Sequence, residues 1–575
     1  MKQIYLVIAD YLKPITLLFR SVSRKLRYMA LFLVLPGIFL VNAVVIHDNM
    51  GKMFMRSVDP EYFYLYNGVM MGQGNLSMQY TSNPGTPLQA LVAVASLGVG
   101  IFQQGSIVGD VVNDPEKYIN ASHLIMILLL ALALFIGGYY TWKVTESWLA
   151  ALLMQMALPA TSSLMFMTGR LNAEAMMILP VLLLCIALMS YIFTSQDQEY
   201  QSDKKLALFG LICGFGAACK ISFFPLVVIP WIMLDVKLIK KIKLVVFTLL
   251  AFAVFGYPVV FNNGHFWSWI GSVLSHTGKY GEGPEGFIDF AAVPGHLSKL
   301  FSFDQAFFII VAVSLLTGII FSFNYLRRSL SPVSKRIARV LIAVPVAVIL
   351  CMVLVLKHFE LYYFIPFYVF KFLLIALFFL FITRMEKVRT SKALKTITII
   401  GILIIVGFIS FGEGKKIRSV NYINSQKKEL QDLEYRQVMS VYEPGSPIIL
   451  SGTYYGTPFI EFAHYDGFKM SGKIGKSFIP FLKAKFPVSY QYVPWSDKFL
   501  YWDAFVDFHK ILENNQKPVY VFIGEGKAGD LPIIEDRLWK VLDKDSVSRE
   551  IVYQNKSNGD QLIKIVQLSL ASAGN

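Results

Sequence analysis

Only 16% of the 575 residues are Asp, Glu, Lys or Arg, whereas an ordinary soluble domain carries about a quarter. That shortage excludes a wholly water-exposed chain, because 55% apolar residues and a mean hydropathy of +0.54 require a non-aqueous solvent. Cysteine is equally scarce. Cys185, Cys213, Cys219 and Cys351 all lie inside apolar runs, which excludes a disulfide framework and a zinc-ligand spacing. No small-residue cleavage site follows the first apolar run, so that run is expected to stay as a membrane span and not to be removed as a signal. The formal net charge is +15, but no basic domain with interleaved aromatics stands apart, and nucleic acid is excluded as a partner. Gly72 and Gly74 form no phosphate-loop pattern, so no nucleotide site is assigned. His265, His276 and His296 share one loop without close metal-ligand spacing. No metal or other cofactor is therefore expected. The sequons at Asn75, Asn120 and Asn555 read as chance occurrences, and no repeat is evident.

What the sequence does hold is a series of apolar runs. A spanning helix needs about 20 apolar residues, fewer if its flanks snorkel. Runs of that kind cover 29–46, 121–142, 147–167, 174–194, 204–219, 221–236, 244–262, 304–324, 338–356, 361–382 and 396–411. A twelfth run, 85–103, is broken by Gly85, Pro87, Gln89, Gly98 and Gly100. The basic clusters decide its fate. If 85–103 does not cross, Arg20/Arg24/Lys25/Arg27, Lys204/Lys205, Lys237 to Lys243, Arg327 to Arg339 and Arg384 to Lys395 all share one side, as the positive-inside rule prefers. The expected fold is thus an α-helical polytopic membrane protein. It has about eleven spans, and 85–103 is a re-entrant or interfacial helix. Residues 1–28 form a basic cytoplasmic N-terminus. The membrane domain is 29–411, and its first extracytoplasmic loop is 47–120. Residues 263–303 form a second outer loop. From 412 to 575 the composition becomes soluble, with strand-like runs at Pro447–Ser451, Val519–Gly524 and Ile563–Leu568 and a helical pattern around Asp503–Leu512. That is the expectation for a C-terminal soluble α/β domain on the extracytoplasmic side.

On that side Lys and Arg are scarce next to the membrane, so the exceptions carry information. Arg170 sits in Thr168-Gly169-Arg170-Leu171-Asn172-Ala173-Glu174, Lys220 follows Cys219, and Lys357-His358 opens a run reaching Tyr363 and Pro366. Ionisable groups at membrane depth usually face a cavity or a partner. Cations converging from separate hairpins suit a phosphate or diphosphate. The plainer alternatives are snorkelling and structural pairs of Arg170 with Glu174 and Lys357 with Glu360. The first outer loop supplies acids in Val58-Asp59-Pro60-Glu61-Tyr62. Asp59 fits the N-cap of a helix starting at Pro60, and a carboxylate fixed there can deprotonate a hydroxyl.

These features combine into a pattern. An acid motif follows the first span, and Pro84-Gly85-Thr86-Pro87-Leu88 precedes the next helix. Arg170 has an acid four residues on. The Gly210-to-Lys220 segment is a Gly-rich helix ending in Lys, and the Lys357-His358…Tyr363…Pro366 cluster comes late. Together these resemble the GT-C superfamily of membrane glycosyltransferases, which includes protein O-mannosyltransferases, lipid A aminoarabinose transferases and oligosaccharyltransferases. The resemblance covers about 29–411. Two positions depart from the family pattern: Glu61 stands where Asp is usual, and Asn83 stands in place of His. The resemblance implies a GT-C-like fold and transfer of a sugar from a polyprenyl-phosphate donor to a lipid, glycan or protein hydroxyl, with inversion, in a bacterial inner membrane. It implies Asp59 as base with Glu61 as its neighbouring candidate, and Glu174 lining the site. Arg170, Lys220 and Lys357 would hold the donor phosphate, and His358 and Tyr363 would orient it. The rival readings are a flippase or transporter of a lipid-linked sugar, and a non-catalytic envelope scaffold.

Overall fold

The computed structural model describes residues 24–57, 59–80, 84–101, 105–194, 202–262, 264–278, 281, 283–323, 330–451, 456–493, 496, 498–513, 517–524, 536, 538–540 and 547–567. Most of the basic N-terminus, Asn83, the basic residues Arg327 and Arg328 and the side chain of His265 lie outside the described residues. Six described helices are long and apolar enough to cross a membrane: Ala30–Asn49, Pro115–Thr145, Ala173–Thr194, Pro332–Lys357, Ile365–Thr383 and Lys392–Val441. A seventh span is possible by length if Val293–Phe303 and Gln305–Ile320, which meet at a 98° bend, count as one.

Those six match six of the eleven expected runs. The other five are shorter or broken. Run 147–167 becomes Trp148–Gln155 and Ser162–Met167, and 221–236 becomes a 3-10 turn, Ile221–Val227, followed by Val228–Met233. Pro225 lies inside that turn and removes a backbone donor, which weakens a regular α-helix there. Run 85–103 is the helix Thr86–Gly100, about 22 Å long at 1.5 Å per residue. It packs against the helices Glu61–Gly72 and Pro115–Thr145.

Two features bring the functional elements together. The helix Asp203–Cys219 presses Gly210 and Gly214 against Leu238–Phe255, where an added Cβ would sit 2.5 Å from Phe247 and Ala251. This small-residue contact lets the two helices approach closely, and it fixes the end that carries Lys220. The last span does not stop where its apolar run stops. Lys392–Val441 is one continuous 50-residue helix, so the composition change at 412 falls within a helix. Backbone hydrogen bonding continues through it whatever the side chains are, and the residues from 412 to 441 rise about 45 Å further.

That helix leads into a mixed seven-stranded sheet. The strands are β1 Ile448–Ser451, β2 Ser489–Val493, β3 Lys498–Tyr501, β4 Ala504–Val506, β5 Val519–Ile523, β6 Val547–Gln554 and β7 Gln561–Gln567. Their order is β4-β3-β2-β1-β5-β7-β6. β1 pairs in parallel with β2 and β5 and the other pairings are antiparallel. The fully buried, β-branched and aromatic run of β5 reads as a central strand and is one. The helical pattern expected around Asp503–Leu512 is displaced: 504–506 form edge strand β4 and the helix is Phe508–Glu513.

The sheet domain docks onto the first loop. Thr457 N donates to Phe54 O at 3.0 Å. The Tyr66 hydroxyl lies 2.8 Å from His464 Nδ1, and the Tyr66 ring stacks on Phe478 at 4.1 Å. Lys485 Nζ donates to the carbonyls of Val112 and Asn113.

Candidate active site

Asp59 immediately precedes the short helix Glu61–Gly72, whose N-cap is Pro60 and carries no side-chain cap bond. The expected cap by Asp59 is therefore corrected: the helix begins one residue later than a cap at Asp59 requires. Asp59 is fixed through its backbone instead. Its carbonyl accepts from Arg170 Nη2 at 2.7 Å and from Ser57 Oγ at 2.9 Å. Arg170 reaches this point because the turn Thr168–Arg170 is held from below. His123 Nε2 lies 2.8 Å from the Thr168 carbonyl, and His47 Nδ1 lies 2.8 Å from the Gly169 carbonyl. The two imidazoles stack at 3.8 Å.

Arg170 then meets Glu61 as a two-pronged ion pair, Nε to Oε1 and Nη2 to Oε2, both at 2.7 Å. Glu61 is fully buried. A buried carboxylate is tolerable only when its lone pairs are filled, and here both oxygens are. Burial depresses Arg170, but the Glu61 charge and hydrogen bonds outweigh it and hold the guanidinium above its usual range. This corrects one expectation: Arg170 pairs with Glu61 and not Glu174, and Glu61, the neighbouring candidate to Asp59, is held in that ion pair.

Glu174 pairs with Lys220 instead, both residues being buried. Lys220 Nζ also stands 3.6 Å above the centre of the Tyr363 ring, a cation-π contact. Pro84 pairs with Lys220 in an isolated antiparallel bridge, which brings the Pro-Gly-Thr-Pro turn to the same place. Gly85 takes φ +69°, and a Cβ there would come within 2.6 Å of the Tyr64 ring. The turn thus needs glycine twice over, for its backbone angle and for its contact.

Asp59, Arg170, Glu174 and Tyr363 line one cavity of about 430 Å³. Its walls also hold Arg56, Tyr64, Asn172 and, from the long last helix, Asn424. Arg56 Nη2 donates to Asn424 Oδ1 at 3.2 Å. Burial, and then the charge of Arg170, pull the Arg56 guanidinium below its usual range. The formal charges of Arg56, Arg170 and Lys220 balance those of Asp59, Glu61 and Glu174. Tyr363 also borders a narrow neck of about 50 Å³ lined by Lys220, Ser222 and His358. Ile221, Val273 and Leu354 of that neck continue into a groove of about 590 Å³ with an almost wholly apolar lining that includes Phe224, Pro225, Phe252 and Trp267.

Lys357 lies apart and lines none of these spaces. Its Nζ donates to the Leu274 carbonyl at 2.6 Å, while the His358 ring spans the carbonyls of Gly278 at 2.5 Å and Val273 at 2.9 Å. Val273 and Leu274 end the helix Gly264–Ser275, whose last carbonyls have no partner within the helix. Both side chains therefore fasten the 264–303 segment. His296 stacks on Phe359 at 3.9 Å, and His276 Nδ1 lies beside Ser275 Oγ. Among the described residues no group of three or more His, Cys, Asp or Glu is arranged to hold a metal ion.

Comparison with known proteins adds one likeness. This chain is similar to ArnT from Cupriavidus metallidurans. Its crystal structure bound to undecaprenyl phosphate aligns over 92% of this chain and 97% of that one, with 11% identity and a TM-score of 0.49. The apo structure aligns over 94% and 98%, again with 11% identity and a TM-score of 0.49. No family model and no curated protein matches the sequence.

Sequence reasoning brought Asp59, Glu61, Arg170, Glu174, Lys220 and Tyr363 to this site, with His358 at its neck. It missed Arg56 and Asn424. Arg56 carried a signal, since it lies three residues before Asp59 in the same loop. Asn424 carried none, because its place depends on the long helix running past 411.

Proposed function

We propose that the chain transfers a sugar from a polyprenyl-phosphate donor to a hydroxyl acceptor at the extracytoplasmic face of a bacterial inner membrane. The N-terminus is cytoplasmic in this reading, and the sheet domain stands outside. One observation carries it. A cavity holding a carboxylate shares Tyr363 with a small cationic neck, and that neck shares Ile221, Val273 and Leu354 with an apolar groove, an order that suits acceptor, sugar phosphate and lipid tail. Asp59 takes the proton of the acceptor hydroxyl. The oxygen forms a bond to the anomeric carbon from the side opposite the phosphate, and the carbon–oxygen bond to phosphate breaks. The electron pair leaves on polyprenyl phosphate, and the configuration inverts. Lys220, oriented by Glu174 and Tyr363, meets the charge developing on the phosphate, with Arg170 on the cavity side. The motif resemblance over 29–411 supports the same reading.

The test is transfer from a radiolabelled polyprenyl-phosphate sugar mixture in proteoliposomes, with wild type beside Asp59→Asn. The substitution keeps the shape and removes the base, so transfer should fall by about 10²- to 10⁴-fold while the melting temperature holds. Unchanged transfer in the variant removes Asp59 from the role. Lipid movement across the bilayer by the wild type, without transfer, replaces the transferase by a flippase.

A further inference from the structure

One cation of the cavity has no carboxylate of its own. Arg170 fills both oxygens of Glu61, and Lys220 pairs with Glu174. Arg56 lines the same cavity, yet among the described residues its guanidinium makes one hydrogen bond, to the neutral amide of Asn424, and no ion pair. A guanidinium offers five N–H donors in a planar fork, and one amide oxygen satisfies a small part of it.

The fork is held in place from several sides. Arg56 ends the four-residue helix Met53–Arg56. The amides of Met53 and Phe54 donate to the two carboxylate oxygens of Glu116, each at 3.2 Å. The Phe54 carbonyl accepts from Thr457 N and the Met55 carbonyl from Gln431 Nε2, both at 3.0 Å. Gln431 lies about two turns beyond Asn424 on the long helix, so the contact that fixes the short helix also brings Asn424 to Arg56. Asn424 is 4% exposed and stands in the cavity wall.

We propose that Arg56 and Asn424 form a subsite for a second negative charge, a carboxylate or phosphate carried by the transferred sugar or by the acceptor. The inference rests on the transferase reading above and names a substrate class for it. A guanidinium fork matches the paired oxygens of such a group. In that reading the donor's own phosphate is met at Lys220 in the neck, and Arg56 lines neither the neck nor the groove. Arg170 stands in the same cavity wall, and the two guanidiniums repel each other. An anion lowers that repulsion, whereas a neutral hydroxyl does not.

D-Glucuronate and D-glucose 6-phosphate are the anionic probes and D-glucose is the neutral control, with binding to the full chain in nanodiscs read by NMR titration. Wild type should bind an anionic probe about 10- to 100-fold more tightly than glucose, the worth of hydrogen bonds to a charged group. Arg56→Gln should remove that preference and leave the Kd for undecaprenyl monophosphate little changed. Equal binding of glucose and both anions by the wild type overturns the inference. So does a loss of undecaprenyl monophosphate binding in Arg56→Gln as large as the loss of the anionic probe, because Arg56 then belongs to the grip on the donor phosphate. Arg56→Lys keeps the charge and loses the fork, and serves if Arg56→Gln does not fold. It should lose part of the preference, and an undiminished preference overturns the assignment as well. Undecaprenyl phosphoglucose at saturation separates the two sources: an anionic probe that still binds beside it places the charge on the acceptor, and one that is excluded places it on the transferred sugar. The sugar-probe readings involve no transfer, so their failure is distinct from Asp59 failing as the base.

Discussion

Two basic regions flank the proposed donor path, and their partners differ in kind. At Arg170 and Lys220 each cation meets a carboxylate, Glu61 or Glu174, inside or beside a cavity. At Lys357 and His358 the partners are backbone carbonyls at the end of a helix. Lys220 stands in the neck, with its ammonium against Glu174 and over the Tyr363 ring. A side chain bonded to carbonyls closes a helix end and holds a loop, and its chemistry is absorbed by the fold. Similar residues at the ends of apolar helices thus do different work according to what faces them.

Substitutions that treat the two regions alike test this contrast. Lys220→Met should lower transfer by about 10²- to 10³-fold, the loss seen when one donor to a developing oxyanion is removed. Lys357→Met in the same assay should lower it by less than about threefold. Equal losses would erase the distinction.

Glu61→Gln removes one half of a buried two-pronged pair. Breaking such a pair costs about 3 kcal/mol or more, read as a lower melting temperature in detergent. Because Glu61 is held in that pair, the pH profile of the remaining transfer should keep its shape. A shifted acid limb would make Glu61 a base.

Gly85→Ala strains a left-handed backbone and drives a Cβ into Tyr64. Its cost should be about 1–3 kcal/mol, accompanied by weaker donor binding through the Pro84–Lys220 bridge. The smallest effect belongs to the fastening region. His358→Ala should cost about 1 kcal/mol and appear as faster amide exchange over 264–278, with the donor Kd little changed because Lys220 remains in the neck.

The residue pattern by itself determined the membrane class, the sheet domain with its three central strands, and the acids and cations of the site, because apolar run length and rare charges act locally. Asp59, Arg170 and Lys220 are legible for that reason. The tertiary structure decided the pairings. Arg170 lies four residues from Glu174 yet pairs with Glu61, which is 109 positions away, because bidentate geometry and complete burial outweigh closeness along the chain. It also decided the use of Lys357 and His358, since a helix end packed beside them offered carbonyls that no sequence spacing announces. The arrival of Asn424 at the site was decided in the same way. It depends on a helix that crosses its own change of composition. These are long-range contacts, and a linear pattern of residue types carries no record of them.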